Sequence, residues 1–138
     1  MAMVDPALGL KVGARVFCAP GQLLNLTAAE AAWLPLAECE LVVLSACGSA
    51  RGTSVGGDSL ASLQRAFHLA GANAVVSTLW DLGDAAACEW IDAFYQALWN
   101  DRLPVAEAAR AAKLKILAEQ RAAGQVRPGD WAVFVVSE

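Results

Sequence analysis

Charged residues are scarce in this sequence: they make up 17% of the 138 residues, whereas 57% are apolar. This balance is more apolar than that of an average soluble domain and fits a core piece that is normally covered by partners. The formal net charge is -4 and no basic cluster is present, so no nucleic-acid contact is expected. We therefore expect small-molecule, peptide or protein partners.

Long apolar runs are also missing, since none reaches the roughly 18 residues that a membrane helix needs. The opening residues 1–15 have no continuous apolar core of signal-peptide type, because Asp5 and Pro6 interrupt them early. These absences predict a cytoplasmic protein without membrane contact. The length of 138 residues suits a single domain, 1–138, that is large enough to bury a core.

Several motifs of binding and catalysis are absent as well. The four cysteines include no C-x-x-C pair, which argues against a structural zinc site and a thioredoxin-like motif; they are Cys18, Cys39, Cys47 and Cys88. The glycine-rich loop lacks the lysine of a Walker A sequence, and no G-x-G-x-x-G element occurs. We expect neither a metal nor a cofactor.

What the sequence does contain is an apolar run that stops at a cysteine set among small residues. Leu41–Leu44 is too short for a helix and rich in β-branched residues, so it predicts a strand that is buried on both faces. In open parallel sheets, ligands bind outside the carboxyl ends of the strands, which makes Cys47 a candidate nucleophile. The alternative is an inert cysteine that packs as a small hydrophobe.

The rest of the chain alternates predicted strands and helices. Strands are predicted at 8–12, 16–18, 74–79 and 131–136. Helices are predicted to begin after a capping box at Thr27, after Asp58 or Ser59, after Asp84 and at Pro104. Gly71 stands where the end of a helix favours a left-handed residue. This alternation predicts a parallel α/β sandwich.

Several short stretches of the chain resemble the CHAT domains, which are caspase-like peptidases related to separase. The resemblance rests first on LVVLSAC at 41–47 and on the loop at 48–52. Further similar stretches are LTAAE at 26–30, GDSL at 57–60, RAF at 65–67, AGA at 70–72, STLW at 77–80, FY at 94–95 and WAVF at 131–134. The chain departs from the family pattern at Gly48, where an acidic or polar residue is usual, at Ser59, where glycine is frequent, and at His68, where an aliphatic residue is usual.

The resemblance implies a caspase-like, three-layer αβα sandwich with a mostly parallel sheet. It also implies a cysteine endopeptidase with a Cys-His dyad that cuts after a basic residue in a protein or peptide, with Cys47 as the nucleophile. Regulation by helical-repeat regions or partner proteins is expected. The dyad histidine of the caspase pattern lies roughly 50 residues before the cysteine, but no histidine precedes Cys47. The chain is therefore either the C-terminal part of a longer domain or the descendant of one that lost its base.

The resemblance also suggests residues on the substrate side. Gly48 would contribute to substrate positioning. Asp84 is similar to the last aspartate of the separase stretch Leu-Trp-Asp-Val-Thr-Asp, which helps to form a pocket for a basic side chain; alternatively it caps a helix. Trp80 would line the same cleft, or else pack in the core.

Two further interpretations compete with the peptidase. A non-catalytic interaction module of the same fold is favoured by the missing histidine, and a cysteine acyltransferase would need a base as much as a peptidase does. The sole histidine, His68, is expected to be a packing or surface residue, and Cys39 and Cys88 are expected to be covered.

In a caspase-like sheet, the strand that carries the dyad histidine pairs with the strand that carries the cysteine. We expect that histidine strand to be absent here, so one edge of Leu41–Leu44 should be bare. This predicts that the chain self-associates or that residues 8–12 or 16–18 cover the edge.

Overall fold

The computed structural model of this protein describes residues 28–44, 60–80 and 82–138. Its elements in chain order are α1 (Ala28–Ala31), β1 (Leu41–Leu44), α2 (Leu60–Leu69), β2 (Ala74–Thr78), α3 (Asp84–Tyr95), a π-helical turn (Gln96–Asn100), α4 (Val105–Ala122), α5 (Pro128–Trp131) and β3 (Phe134–Ser137). The described strands form one three-stranded sheet in the order β1-β2-β3. The fold is therefore mixed α/β, with a small sheet and helices.

Some of the predicted features lie outside the described residues. They are the strands at 8–12 and 16–18, the capping residues Thr27, Asp58 and Ser59, and the candidate site residues Cys47 and Gly48. The three-layer arrangement that the resemblance implies likewise stays a prediction.

Backbone hydrogen bonds give the direction of the strands. The N–H of Asn73 donates to the carbonyl of Cys39 at 3.0 Å, so the residues that precede β1 and β2 lie side by side. The N–H of Leu79 donates to the carbonyl of Val133 at 2.9 Å, so the end of β2 meets the beginning of β3. We infer that β1 and β2 run in the same direction and that β3 runs opposite to them.

Contacts divide the described residues into two compact units. The described part of the first unit consists of residues 28–43, 60–75 and 137–138. In this unit α1 packs against α2, and the N–H of Leu36 donates to the carbonyl of Ala70 at 3.1 Å. The segment after α1 is thereby attached to the end of α2.

Gly71 ends this helix in the left-handed conformation that the sequence predicts, with φ of +109°. A Cβ atom on Gly71 would lie 2.7 Å from the Cα of Ala37. Both the backbone angle and the close approach of the neighbouring chain therefore require glycine here.

The second unit has its described part at residue 44 and over 76–80 and 82–136. Its core is aromatic: the ring of Trp90 stacks on Phe134, with centroids 3.8 Å apart, and on Phe94, with centroids 5.0 Å apart. The three side chains are almost fully buried. Helix α4 contacts α3 and buries small residues, namely Ala108, Ala109 and Ala112. Aromatic rings from α3 and β3 thus fill this core.

Three element boundaries differ from the prediction. Helix α3 has Gly83 at its N-cap and Asp84 as its first residue, and α4 has Pro104 at its N-cap. The last strand is Phe134–Ser137 and not 131–136, because Pro128 begins the short helix α5, which runs to Trp131. Proline at the first helical position has its φ already fixed for a helix, so this turn is helical and delays the strand.

Among the helices of the described residues, none combines the length and the apolarity that crossing a membrane requires.

Candidate functional site

The candidate site is built on the ends of β1 and β2. Strand β1 has the bounds predicted from the sequence and ends at Leu44, three positions before Cys47. Strand β2 ends at Thr78, two positions before Trp80. The roles of Cys47 and Gly48 stay predictions, since both residues lie outside the described part of the chain.

Trp80 lies on the surface and not in the core. Its side chain is 42% exposed, and its indole N–H donates to the carbonyl of Gly129 at 3.2 Å. The preceding residue, Leu79, is fixed by its backbone hydrogen bond to Val133. The core-packing alternative for Trp80 is therefore wrong, and an anchored indole is available to a ligand.

Asp84 is an exposed carboxylate at the beginning of α3. The N-cap position belongs to Gly83, which has extended angles (φ -65°, ψ 144°), so the prediction that Asp84 caps the helix is wrong. As the first helical residue, Asp84 adds negative charge where the helix dipole is positive, which is favourable. Its carboxylate remains open to solvent and to a cationic group.

A polar cluster that the sequence pattern does not predict holds the segment that carries the Trp80 contact. Gln120 is only 8% exposed; its Oε1 accepts from the N–H of Arg127 at 2.7 Å, and its Nε2 donates to Asp130 Oδ2 at 3.2 Å. Arg127 Nε also pairs with Asp130 Oδ2 at 2.8 Å. Because Gly129 lies between these two residues, the cluster fixes the carbonyl to which Trp80 donates. The sequence pattern does not predict this role of Gln120, because a single glutamine near the end of an amphipathic helix does not alter the spacing of its apolar residues.

His68 is engaged at the beginning of β2. Its Nδ1 lies 2.9 Å from the carbonyl oxygen of Ala72, and its Nε2 lies 2.9 Å from the Oγ of Ser137. The ring is half-buried. This position agrees with the expectation of a packing or surface histidine, and both ring nitrogens have partners other than a thiol.

The two described cysteines differ in their surroundings. Cys39 is 3% exposed, and its thiol donates to the carbonyl of Leu41 at 3.4 Å. Burial raises the pKa of the Cys39 thiol, the bond to Leu41 lowers it, and the nearby charge of Glu40 raises it further. Cys88 is exposed, so the expectation that it is covered is wrong. It follows Ala87 on α3 by one position, which turns it about 100° away from the buried face.

Comparison with known proteins places this chain in a family. The sequence matches the family model of the CHAT domain over residues 10–138. Tetratricopeptide repeat protein 28 of Mus musculus is 37% identical over 119 residues, and that of Homo sapiens is 36% identical over 119 residues. Each alignment covers 86% of this chain and 5% of the relative, so the chain spans a small fraction of these relatives' length. No solved structure matches. The chain belongs to the CHAT domain family.

Proposed function

We propose that this chain is the C-terminal part of a CHAT-type, caspase-like cysteine endopeptidase with Cys47 as its nucleophile. One observation carries the proposal: β1 and β2 are neighbours that run in the same direction, and they end at Leu44 and Thr78. The segments that follow parallel strands share one edge of the sheet, which is where ligands bind in open sheets. Cys47 follows the first of these strands, and Trp80 with Asp84 follows the second.

The base of this peptidase comes from outside the sequence. The only histidine, His68, is already bonded to Ala72 and Ser137. We assign the base to a histidine that precedes these residues in the complete protein. It would take the proton of the Cys47 thiol as the sulfur attacks the scissile carbonyl, and would return it to the leaving amine. The backbone N–H of Cys47 would donate to the oxyanion, and water would then hydrolyse the thioester.

The substrate side of the proposal rests on Trp80 and Asp84. Both side chains are exposed; Trp80 lies in the connection between β2 and α3, and Asp84, four positions later, is the first residue of α3. A carboxylate pairs well with the guanidinium of an arginine, and an indole ring can contact the aliphatic part of the same side chain. Gly48 would leave room for the backbone of the substrate. We therefore propose cleavage after a basic residue. A reducing, cytoplasmic setting would keep the thiol free.

A peptide ketone inhibitor that ends in arginine tests the nucleophile and the pocket together. In the complete protein we expect it to alkylate Cys47, and we expect Asp84→Ala to slow this reaction at least about tenfold, because a charged partner is lost. Asp92→Ala is the matched control, since Asp92 is an exposed carboxylate on the same helix. Labelling that avoids Cys47, or equal rates for the two variants, would contradict the proposal.

The rival function is a non-catalytic protein-interaction module. It is favoured by the lack of a histidine before Cys47 and by the names of both relatives, which refer to tetratricopeptide repeats. The first unit also exposes two large apolar side chains, Trp33 at 88% and Leu69 at 74%. A complete protein that binds partners through this chain equally well with Cys47→Ala, and that cleaves no peptide, would establish the module.

A further inference from the structure

In its neutral form, the His68 ring has one proton arrangement that satisfies its contacts with Ala72 and Ser137. The carbonyl oxygen of Ala72 can only accept a hydrogen bond, so the Nδ1 atom at 2.9 Å from it carries a proton. In the neutral imidazole, Nε2 then has a free lone pair. The hydroxyl of Ser137, whose Oγ lies 2.9 Å away, donates to that lone pair.

These three groups have the relation that activates a serine. A hydroxyl is hydrogen-bonded to a base, and the base is oriented by a third group, here a backbone carbonyl. The contact joins the end of α2 to the end of β3 across 69 positions of the chain, so the fold itself holds the pair together. Both side chains are half-buried, so neither is sealed from solvent.

We propose that His68 is a general base for Ser137, and that the pair is an acyl-acceptor site for small activated esters, independent of the Cys47 chemistry. Ser137 Oγ attacks the acyl carbon, and its proton passes to His68 Nε2. The bond from the acyl carbon to the aryl oxygen breaks, and the phenolate leaves with the electron pair of that bond. The imidazolium then releases the proton to solvent or to the phenolate. The product is an ester on Ser137, which water hydrolyses with His68 again as the base.

The substrate class follows from how much rate acceleration a serine with a general base can supply. A general base contributes a factor of about 10² to 10⁴ to such a reaction, which is less than a complete hydrolase achieves. With an aryl ester, the reaction needs less acceleration, because the phenolate is a stable leaving group. Alkyl esters and peptides, with poor leaving groups, are not substrates of this site.

The test uses the 138-residue chain with Cys18→Ala, Cys47→Ala and Cys88→Ala, which leaves the buried Cys39 as the one remaining thiol. After brief exposure to p-nitrophenyl acetate, mass spectrometry should find the acetyl group on Ser137 ahead of every other hydroxyl residue. His68→Gln should slow phenolate release at Ser137 about 100-fold or more, and added imidazole should restore part of the rate. His68→Asn retains an N–H for the Ala72 carbonyl without a basic nitrogen, and should behave as His68→Gln does.

If lysines or other hydroxyl residues were acetylated before Ser137 in the chain that retains His68, the proposal would be overturned. This result does not depend on whether a His68 variant folds. An unchanged rate in a folded His68→Gln protein would overturn it as well. Because Cys47 is absent from the chain used, neither result depends on the proposed peptidase.

Discussion

At the scale of the residue, the two described cysteines offer a test of burial. Cys39 is enclosed and its thiol pKa is raised, chiefly by desolvation, so below that pKa its thiolate fraction is smaller than that of an exposed cysteine. We expect iodoacetamide to label Cys88 at least about tenfold faster than Cys39 at neutral pH, with the rate at Cys39 rising as the pH approaches its raised pKa. Limited alkylation followed by mass spectrometry measures both sites.

The unfolded chain is the control, because both thiols should then react alike. Equal labelling of the two in the folded protein would contradict the burial of Cys39. Cys47 is outside the described residues, and we predict that it reacts faster than Cys39.

Gly71 carries a second prediction at this scale. Gly71→Ala forces a side chain into φ of +109° and places a Cβ 2.7 Å from the Cα of Ala37, so it should lower the free energy of unfolding by at least about 2 kcal/mol. Gly129→Ala is the control: a Cβ there meets no atom within 4 Å, and the change should stay within about 0.5 kcal/mol. Urea denaturation measures both, and similar midpoints would show that Gly71 is not required.

Local chemistry explains which of these residues could be predicted. The sequence predicts Gly71 correctly, because a glycine after an apolar helical face is a local signal of a helix end. It does not predict the exposure of Cys88, since the apolar pattern of α3 allows more than one buried face. The sequence also does not predict that Gly83 is the N-cap of α3. Aspartate is the more favoured N-cap residue, which points to Asp84, but Asp84 is the first residue of the helix itself.

At the scale of the element, the strands β1 and β2 were predictable to within one residue. Each is a short run of β-branched residues between polar segments, and both lie where that pattern places them. The third strand begins three residues later than predicted, because Pro128 begins a short helix that runs to Trp131. The apolar pattern of this stretch does not reveal that helix. The π-helical turn at Gln96–Asn100 also has no signal in the pattern, since it continues the apolar face of α3.

The polar cluster around Gln120 gives a prediction for the α5 segment. Gln120→Ala leaves the N–H of Arg127 and the carboxylate of Asp130 without this partner, so we expect a loss of about 1–3 kcal/mol in the free energy of unfolding. Lys115→Ala is the control on the same helix, because Lys115 is exposed and its Nζ donates to Gln96 Oε1 at the long distance of 3.3 Å. This substitution should cost less than about 0.5 kcal/mol.

The same variant should loosen the carbonyl of Gly129 that holds Trp80. Faster amide exchange over residues 127–131 in Gln120→Ala than in Lys115→Ala would show this effect. A Gln120 variant as stable as the control, with unchanged exchange, would mean that the cluster does not hold the segment.

At the scale of the whole molecule, the sheet itself predicts association. Strand β1 lies at one edge of the sheet formed by the described residues, and its Val43 and Leu44 are half-buried. Unpaired strand edges beside apolar surface are templates for pairing. We expect the chain at micromolar concentration to self-associate, or residues 8–12 or 16–18 to cover this edge. Light scattering, together with hydrogen exchange of residues 41–44, checks this; a monomer in which these amides exchange fast would contradict it.

Family membership could be predicted from the sequence almost completely, whereas activity could not. The family pattern is a series of short stretches, each of which can be recognised from its local sequence alone. The match to the family model extends over residues 10–138. The proposed catalysis depends instead on a base that would approach the cysteine from a distant part of the complete protein. The sequence contains no histidine before Cys47, and the relatives share only 5% of their length with it.

The central claim is that Cys47 is the nucleophile of a peptidase whose base this sequence does not supply. The most direct measurement is steady-state cleavage of arginine-containing peptides by the purified chain and by the complete protein that contains it. We predict no cleavage by the chain, since a thiol without a base is only a few per cent thiolate near neutral pH, and cleavage by the complete protein that Cys47→Ala abolishes. Cleavage by the chain alone that Cys47→Ala abolishes, or cleavage by the complete protein that survives Cys47→Ala, would contradict the claim.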